Sequence, residues 1–151
     1  MKIKPPVYVF AAVAVMLLTH RLFPIVRIIT FPWTLLGLVS LLPGAALVFL
    51  SLRVFKRDRT DPDPFGVPAA LVTSGPYRLS RNPMYLGILL MLSGIACLLG
   101  TAAPWLAIPP LGVALDLVFV RPEEKRMERT FGDAYRRYKT HVRRWIGTIH
   151  P

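Results

Sequence analysis

Four long apolar runs separated by short polar stretches dominate the chain, at residues 6–23, 34–54, 84–100 and 103–120. A helix that crosses a bilayer needs about 20 mostly apolar residues, with about 17 still sufficient. Each run meets that length, and the second is the cleanest. The first ends on His20 and Arg21, and the fourth carries Pro104, Pro109 and Pro110. Proline is tolerated in a membrane helix when neighbours re-satisfy the carbonyl it frees. The pair Pro109-Pro110 therefore predicts either a kink or the start of the regular part of the fourth helix. The short link Thr101–Pro104 predicts that helices three and four form an antiparallel hairpin. In the tail, Met127, Phe131, Tyr135, Tyr138, Val142 and Trp145 recur at spacings of three and four. Arg126, Arg129, Arg136, Arg137, Lys139 and Arg143 fill the positions between them. That pattern predicts an amphipathic helix on the membrane surface or over the mouth of the bundle. The fold expected is all-α. It is one polytopic integral membrane domain over 1–151, with about four transmembrane helices and a C-terminal amphipathic cytoplasmic helix.

Composition and charge agree with this pattern and orient it. Hydrophobic residues make up 54% of the chain and mean hydropathy is +0.49, above an ordinary globular balance. The 19 Lys and Arg against 8 Asp and Glu leave a net charge of +11. Four spans put the N-terminus, the loop from 53 to 83 and the tail from 121 on one side. Those segments hold 2, 6 and 9 basic residues, or 17 of the 19, leaving only Arg21 and Arg27 opposite. Basic residues accumulate on the cytoplasmic side, so both termini are expected there, at the inner membrane if the cell is bacterial. Because the charges flank apolar runs, they read as contacts to anionic membrane lipid rather than nucleic acid. Lys2 and Lys4 precede an apolar stretch with no small-x-small cleavage site, so that stretch reads as the first span rather than a signal peptide. The lone Cys97 lies in an apolar run, and no Cys/His spacing suggests a metal site.

Candidate chemistry collects in two places. One is the run from Thr73 to Tyr85, which closes the proline-rich loop 55–83 (Pro62 and Pro64 among its residues), and the other is Arg121-Pro122-Glu123-Glu124. The hairpin makes these blocks neighbours at one membrane–water boundary, and the N-terminus of helix three adds free backbone donors suited to a carboxylate group. A plainer reading has the Tyr and Arg as interfacial anchors and Glu123 and Glu124 as first-turn acids after Pro122. No G-x-G-x-x-G nucleotide motif occurs. Asp116 is the single acid within a span, and its favoured reading is a structural polar contact with Arg121 or another base, ahead of substrate or cofactor binding. Of the histidines, His20 falls on the opposite face and His150 in the terminus. His141 is the one within reach of the site, and a surface role is favoured for it.

The runs Leu71-Val72-Thr73-Ser74-Gly75-Pro76-Tyr77-Arg78 and Arg81-Asn82-Pro83-Met84-Tyr85-Leu86-Gly87 resemble the isoprenylcysteine carboxyl methyltransferase family and its relatives among membrane phospholipid methyltransferases. So does the second block, Glu123-Glu124, Met127, Phe131-Gly132, Tyr135, Tyr138 and Val142. The resemblance covers roughly residues 55–145 and implies a membrane enzyme that uses S-adenosyl-L-methionine. Carried over by position, it implies cofactor contacts from Ala69, Ala70, Leu71, Val72, Tyr77, Asn82, Pro83, Met84, Tyr85, Glu123 and Glu124. Glu123 would hold the cofactor's amino group. It also implies catalytic roles for Asn82 and Arg121. Asn82 stands where the family often has His, which leaves a positioning role rather than a general base. Phe119 occupies the place of the family's substrate-side arginine, for which Arg121 is the nearest replacement. The acceptor expected is a carboxylate on a lipidated or prenylated small substrate, since a carboxylate is ionised without a base. The alternatives are a phospholipid or amine N-methyltransferase, a nicotinamide-dependent membrane reductase, and a non-enzymatic membrane protein.

Overall fold

The computed structural model describes residues 4–23, 26–61, 63, 65–66 and 68–149. Lys2, Pro62, Pro64 and His150, named above, lie outside the described residues. Among the described residues five α-helices follow one another: α1 (Pro5–Leu22), α2 (Gly37–Arg57), α3 (Pro83–Leu99), α4 (Ile108–Leu115) and α5 (Arg121–His141). Among the described residues three helical stretches are long and apolar enough to cross a membrane: Pro5–Leu22, Trp33–Arg57 and Ala103–His141. At 17 residues α3 is shorter and packs along α2. The chain is an all-helical polytopic integral membrane protein. No named β-strand occurs among the described residues, only the isolated bridges Arg27–Thr101 and Val142–Thr148.

Lipid tails are as apolar as leucine, so membrane helices associate through close packing of small residues. Gly37, Ser40 and Gly44 make such a stripe on α2 and face Gly87 and Gly94 on α3. A Cβ on Gly44 would stand 2.6 Å from the Gly87 carbonyl oxygen, and one on Gly94 would stand 2.6 Å from that of Gly37. The Ser40 hydroxyl donates to the Leu90 carbonyl at 2.9 Å, adding a polar link between the same helices. A second contact layer joins α1, α3 and α4 through the fully buried Met16, Leu92, Leu115 and Phe119.

At the end of the bundle away from the two polar blocks, α3 stops at Gly100, which adopts φ 72°, a left-handed turn natural to glycine. The Gly100 carbonyl accepts from Ile28 and Ile29 N–H, and His20 Nδ1 lies 2.8 Å from Thr101 Oγ1. His20 is thus remote from the polar blocks, as expected. Pro104 sits at the start of a 3₁₀ turn (Ala103–Ala107), and Pro109-Pro110 open α4. The proline pair begins the regular helix and does not kink it.

The tail differs from expectation in two ways. Pro122 reads in sequence as the start of a new helix, yet the fourth span runs straight into α5 through a π-helical turn, Asp116–Val120. Here the Arg121 N–H bonds back to the Asp116 carbonyl, five residues earlier. A proline ring inside a helix clashes with the preceding turn, and the wider π turn gives Pro122 room. The second difference lies beyond Gly132, which takes φ 51° and ψ −122° and redirects the chain. The helix ends at His141, so Val142 and Trp145 do not extend its apolar face. They belong instead to a strap, residues 142–149, closed by the Val142–Thr148 bridge. The redirected part of α5 and the strap lie over the mouth of the bundle, one of the two placements expected for the tail. Tyr138 Oη donates to the Tyr77 carbonyl at 2.6 Å, Arg81 N–H to the Arg143 carbonyl at 3.0 Å, and Gly147 N–H to the Leu79 carbonyl at 2.8 Å.

Candidate active site

The loop leading into α3 and the start of α5 meet at the bundle mouth, as the hairpin predicts. Tyr85, in the first turn of α3, donates its hydroxyl to Glu123 Oε2 at 3.2 Å. Glu124, one residue on, is buried and held between two guanidinium groups. Arg144 from the strap donates to it from Nη2 at 2.8 Å, and Arg81 Nη2 stands 3.3 Å from Oε1. Asp116 pairs in turn with Arg121 at 2.6 Å and with Arg144 at 3.5 Å. The acid inside the fourth span is therefore engaged in the structural contact expected of it, with Arg121 as its partner. Arg81 differs from its neighbours. Its side chain is 10% exposed, and its Nε and Nη1 are buried without a hydrogen-bond partner.

Beside these groups lies a cavity of about 50 Å³, lined by Phe55, Asp61, Ala70, Val72, Tyr77, Arg81, Asn82, Glu123, Glu124, Arg126, Tyr135 and Tyr138 among others. A smaller one of about 20 Å³ lies against Phe55, Tyr77, Arg81, Asn82, Met84, Tyr85 and Glu123. Glu123 lies beyond the apolar part of the fourth span, and burial pushes its carboxyl up to about 7. Burial likewise raises the hydroxyls of Tyr77, Tyr135 and Tyr138 above the usual phenol range and keeps them protonated.

A third cavity, of about 490 Å³, is apolar and opens between α1, α2 and α3. Phe10, Val13, Val48, Leu52, Ile88 and Met91 form its walls, and Lys4, Asp61, Asp63 and Tyr85 its polar end. Lys4 Nζ pairs with Asp63 Oδ2 at 2.9 Å, joining the start of α1 to the loop. Asp61 lines both this groove and the 50 Å³ cavity, and Tyr85 lines both the groove and the 20 Å³ cavity. The polar and apolar spaces are thus adjacent.

Of the residues singled out from sequence, Ala70, Val72, Tyr77, Asn82, Met84, Tyr85, Glu123 and Glu124 line these cavities. Ala69, Leu71 and Pro83 do not; the Ala69 N–H donates to Thr60 Oγ1 at 3.2 Å, and Pro83 is buried at the start of α3. Arg121 lines none of them, and its exposed side chain is occupied by Asp116. Asn82 Nδ2 donates to the Arg144 carbonyl at 3.2 Å, which commits part of its amide to the strap. Phe119 is buried in an aromatic cluster, its ring 6.2 Å from that of Tyr85 and 5.3 Å from that of Tyr8. A guanidinium at that position would be a buried charge among rings. Sequence reasoning missed Phe55, Asp61, Arg81, Arg126 and Arg144 as site residues. Arg81 carried a signal, since it belongs to the matched run. Arg144 carried none, because its approach to Glu124 depends on the turn of the strap.

The strap contact makes a prediction. Replacing Arg144 with Met leaves buried Glu124 with one cation and frees Asp116 Oδ1. Breaking a buried pair costs about 3–5 kcal/mol. Because Arg144 is 35% exposed, the loss expected in thermal unfolding is about 2 kcal/mol. Hydrogen exchange should also quicken at residues 142–149 while α2 and α3 keep their protection.

The sequence model of the phospholipid methyltransferase family matches residues 32–134. An uncharacterized protein of Haemophilus influenzae is 40% identical over 63 residues, which cover 42% of this chain and 100% of that protein. No solved structure matches the chain. The family match takes in α2, α3, the whole fourth span and both acids at the mouth. The chain therefore belongs to the phospholipid methyltransferase family, within the isoprenylcysteine carboxyl methyltransferase-like group of integral membrane methyltransferases.

Proposed function

We propose that this protein transfers a methyl group from S-adenosylmethionine to the polar head of a lipid-like acceptor, with the site and both termini on the cytoplasmic side. The observation that carries this reading is the adjacency of the two kinds of space. The polar cavities hold Glu123, and the apolar groove of about 490 Å³ shares Asp61 or Tyr85 with each of them. When bound, the cofactor supplies a methyl group activated on a sulfonium. The residues present fit it. Glu123 offers an anion to its ammonium, and Phe55, Tyr77, Tyr135 and Tyr138 offer aromatic faces to its adenine. Small-ligand sites have volumes of about 300–1,000 Å³, so the 50 Å³ cavity must widen during binding.

The protein's own work is alignment and exclusion of water. Tyr85 orients Glu123 through its hydroxyl. Asn82 acts as a positioning residue, tied to the strap. Arg121 holds Asp116 and so steadies the turn that leads to Glu123. A carboxylate acceptor needs no base, but the polar end of the groove is lined by Asp61, Asp63 and Lys4, and Lys4 is taken up by Asp63. Asp61 at that end repels a carboxylate and attracts an ammonium, so an amine-headed lipid is the favoured acceptor. An ammonium has no lone pair, so it must first give up a proton, and Asp61 lines both spaces to receive it; the freed amine would then take the methyl group and leave a neutral thioether behind.

The test is transfer of labelled methyl from S-adenosylmethionine by the purified protein to long-chain amine-headed lipids, their carboxylate-headed counterparts, and short soluble analogues of each. Long-chain amines should be methylated, and the short analogues should be at least about tenfold poorer, because burying each CH2 contributes about 0.8 kcal/mol. Transfer confined to carboxylates would overturn the amine assignment. A folded sample that binds a nicotinamide nucleotide but no S-adenosylmethionine would overturn the reaction class.

A further inference from the structure

We propose that Arg81 is the anchor for the carboxylate of S-adenosylmethionine, forming with Glu123 a two-point clamp on the cofactor's zwitterionic end. This rests on the cofactor reading above. The charges at the mouth alternate in one connected series: Arg121, Asp116, Arg144, Glu124, Arg81. Three cations and two anions leave one positive charge over. The series ends at Arg81, whose Nη2 reaches Glu124 while Nε and Nη1 are buried and unpaired.

A buried guanidinium with unused donors is costly, and buried polar groups are almost always paired. What best completes Arg81 is an anion, since a charged acceptor makes the stronger hydrogen bond to a guanidinium. Its location selects which anion. Arg81 lines the two cavities shared with Glu123, Tyr77 and Asn82, and it is absent from the walls of the apolar groove. The missing anion therefore lies on the cofactor side and not on the head group of the acceptor. Arg81 also sits just before α3, where the positive end of the helix dipole favours the same charge. Glu123, on the facing helix, takes the ammonium. Facing walls of the cavity thus carry the charges for the two halves of an amino acid.

The test is calorimetric binding of S-adenosylmethionine and of its decarboxylated analogue to the full chain in detergent, for wild type, Arg81→Met and Arg81→Lys, with thermal unfolding of each. Wild type should prefer the carboxylated ligand by about tenfold to a hundredfold, the range of a charge-assisted pair. Arg81→Met should bind the two ligands alike, and Arg81→Lys should keep part of the preference. A folded Arg81→Met that retains the wild-type preference overturns the assignment. So does a wild type that binds both ligands equally well, a result that needs no variant to fold. Wild type that binds neither ligand overturns the cofactor reading and this assignment with it. Binding with the wrong ratio overturns the clamp alone.

Discussion

Gly44→Leu is expected to yield no folded protein, and Gly44→Ala to lose about 1–3 kcal/mol of stability. The Cβ of alanine at this position would meet the Gly87 carbonyl oxygen at 2.6 Å and the Met91 nitrogen at 2.8 Å. Both are backbone atoms, so no side chain can swing away, and the helices must separate. Separation also stretches the Ser40–Leu90 hydrogen bond in the same interface. Gly112 in α4 is the internal control. Its Cβ would meet only the Leu89 methyl carbons, at 3.7 Å and beyond. Gly112→Ala should therefore be neutral or gain up to about 1 kcal/mol, because alanine restricts the unfolded chain. Thermal unfolding of the three variants in one detergent separates the outcomes. Equal losses at Gly44 and Gly112 would mean that general helix strain, not the α2–α3 contact, sets stability.

Glu123→Gln is expected to weaken binding of S-adenosylmethionine by about tenfold to a hundredfold, since a charged hydrogen bond contributes about 1.5–3 kcal/mol. The pH dependence gives the sharper signature. Burial raises the Glu123 carboxyl from 4.5 to about 7 in the folded protein. Between those values the folded chain carries a proton that the unfolded chain has lost. This group's contribution to the stability of the cofactor-free protein must therefore fall as pH rises through that window. Cofactor affinity must move the other way, because an ammonium is held only by the ionised carboxylate. Affinity should rise up to about tenfold per pH unit below 7 and turn over near pH 8, where an α-amino group loses its own proton. The substitution should flatten the rising limb of affinity and the matching slope in stability together. A rising limb that persists in the variant would mean that another group holds the ammonium.

The spans, their order and the meeting of the two polar blocks were readable from sequence because each rests on local pattern. Apolar runs of 17 residues and more leave few alternatives, and a link as short as Thr101–Pro104 leaves only a hairpin. The path of the tail was not readable. Pro122 carries the signature of a helix start, and nothing local says that a π turn upstream will absorb it. Gly132 lies inside a run whose spacing continues smoothly to Trp145, so the periodicity hides the bend. The strap then brings Arg144 to Glu124 from 20 positions away, a contact decided by tertiary packing. Tyr85 and Glu123 could be named from sequence because resemblance and topology agreed on them, and both line the cavity at the mouth. Arg121 was chosen as the nearest replacement for the family's arginine at the place of Phe119, but it stands five residues from Asp116 across the π turn and is drawn to that side chain. The polar end of the groove was missed because Lys4, Asp61 and Tyr85 come from three separate segments.

The unbroken passage of the fourth span into α5 fixes the height of the reaction. Glu123 stands three positions past Val120, the end of the apolar stretch, about 5 Å along the axis at 1.5 Å per residue. A continuous helix does not let that distance vary as a hinge would. A lipid acceptor of the kind proposed would therefore be met without leaving the leaflet. The quantity governing turnover would then be the acceptor's mole fraction in the membrane plane, and its amount per volume of suspension would matter little. Inert lipid added to the same bilayer would act as a diluent, and the enzyme would sample its substrate by lateral diffusion in two dimensions.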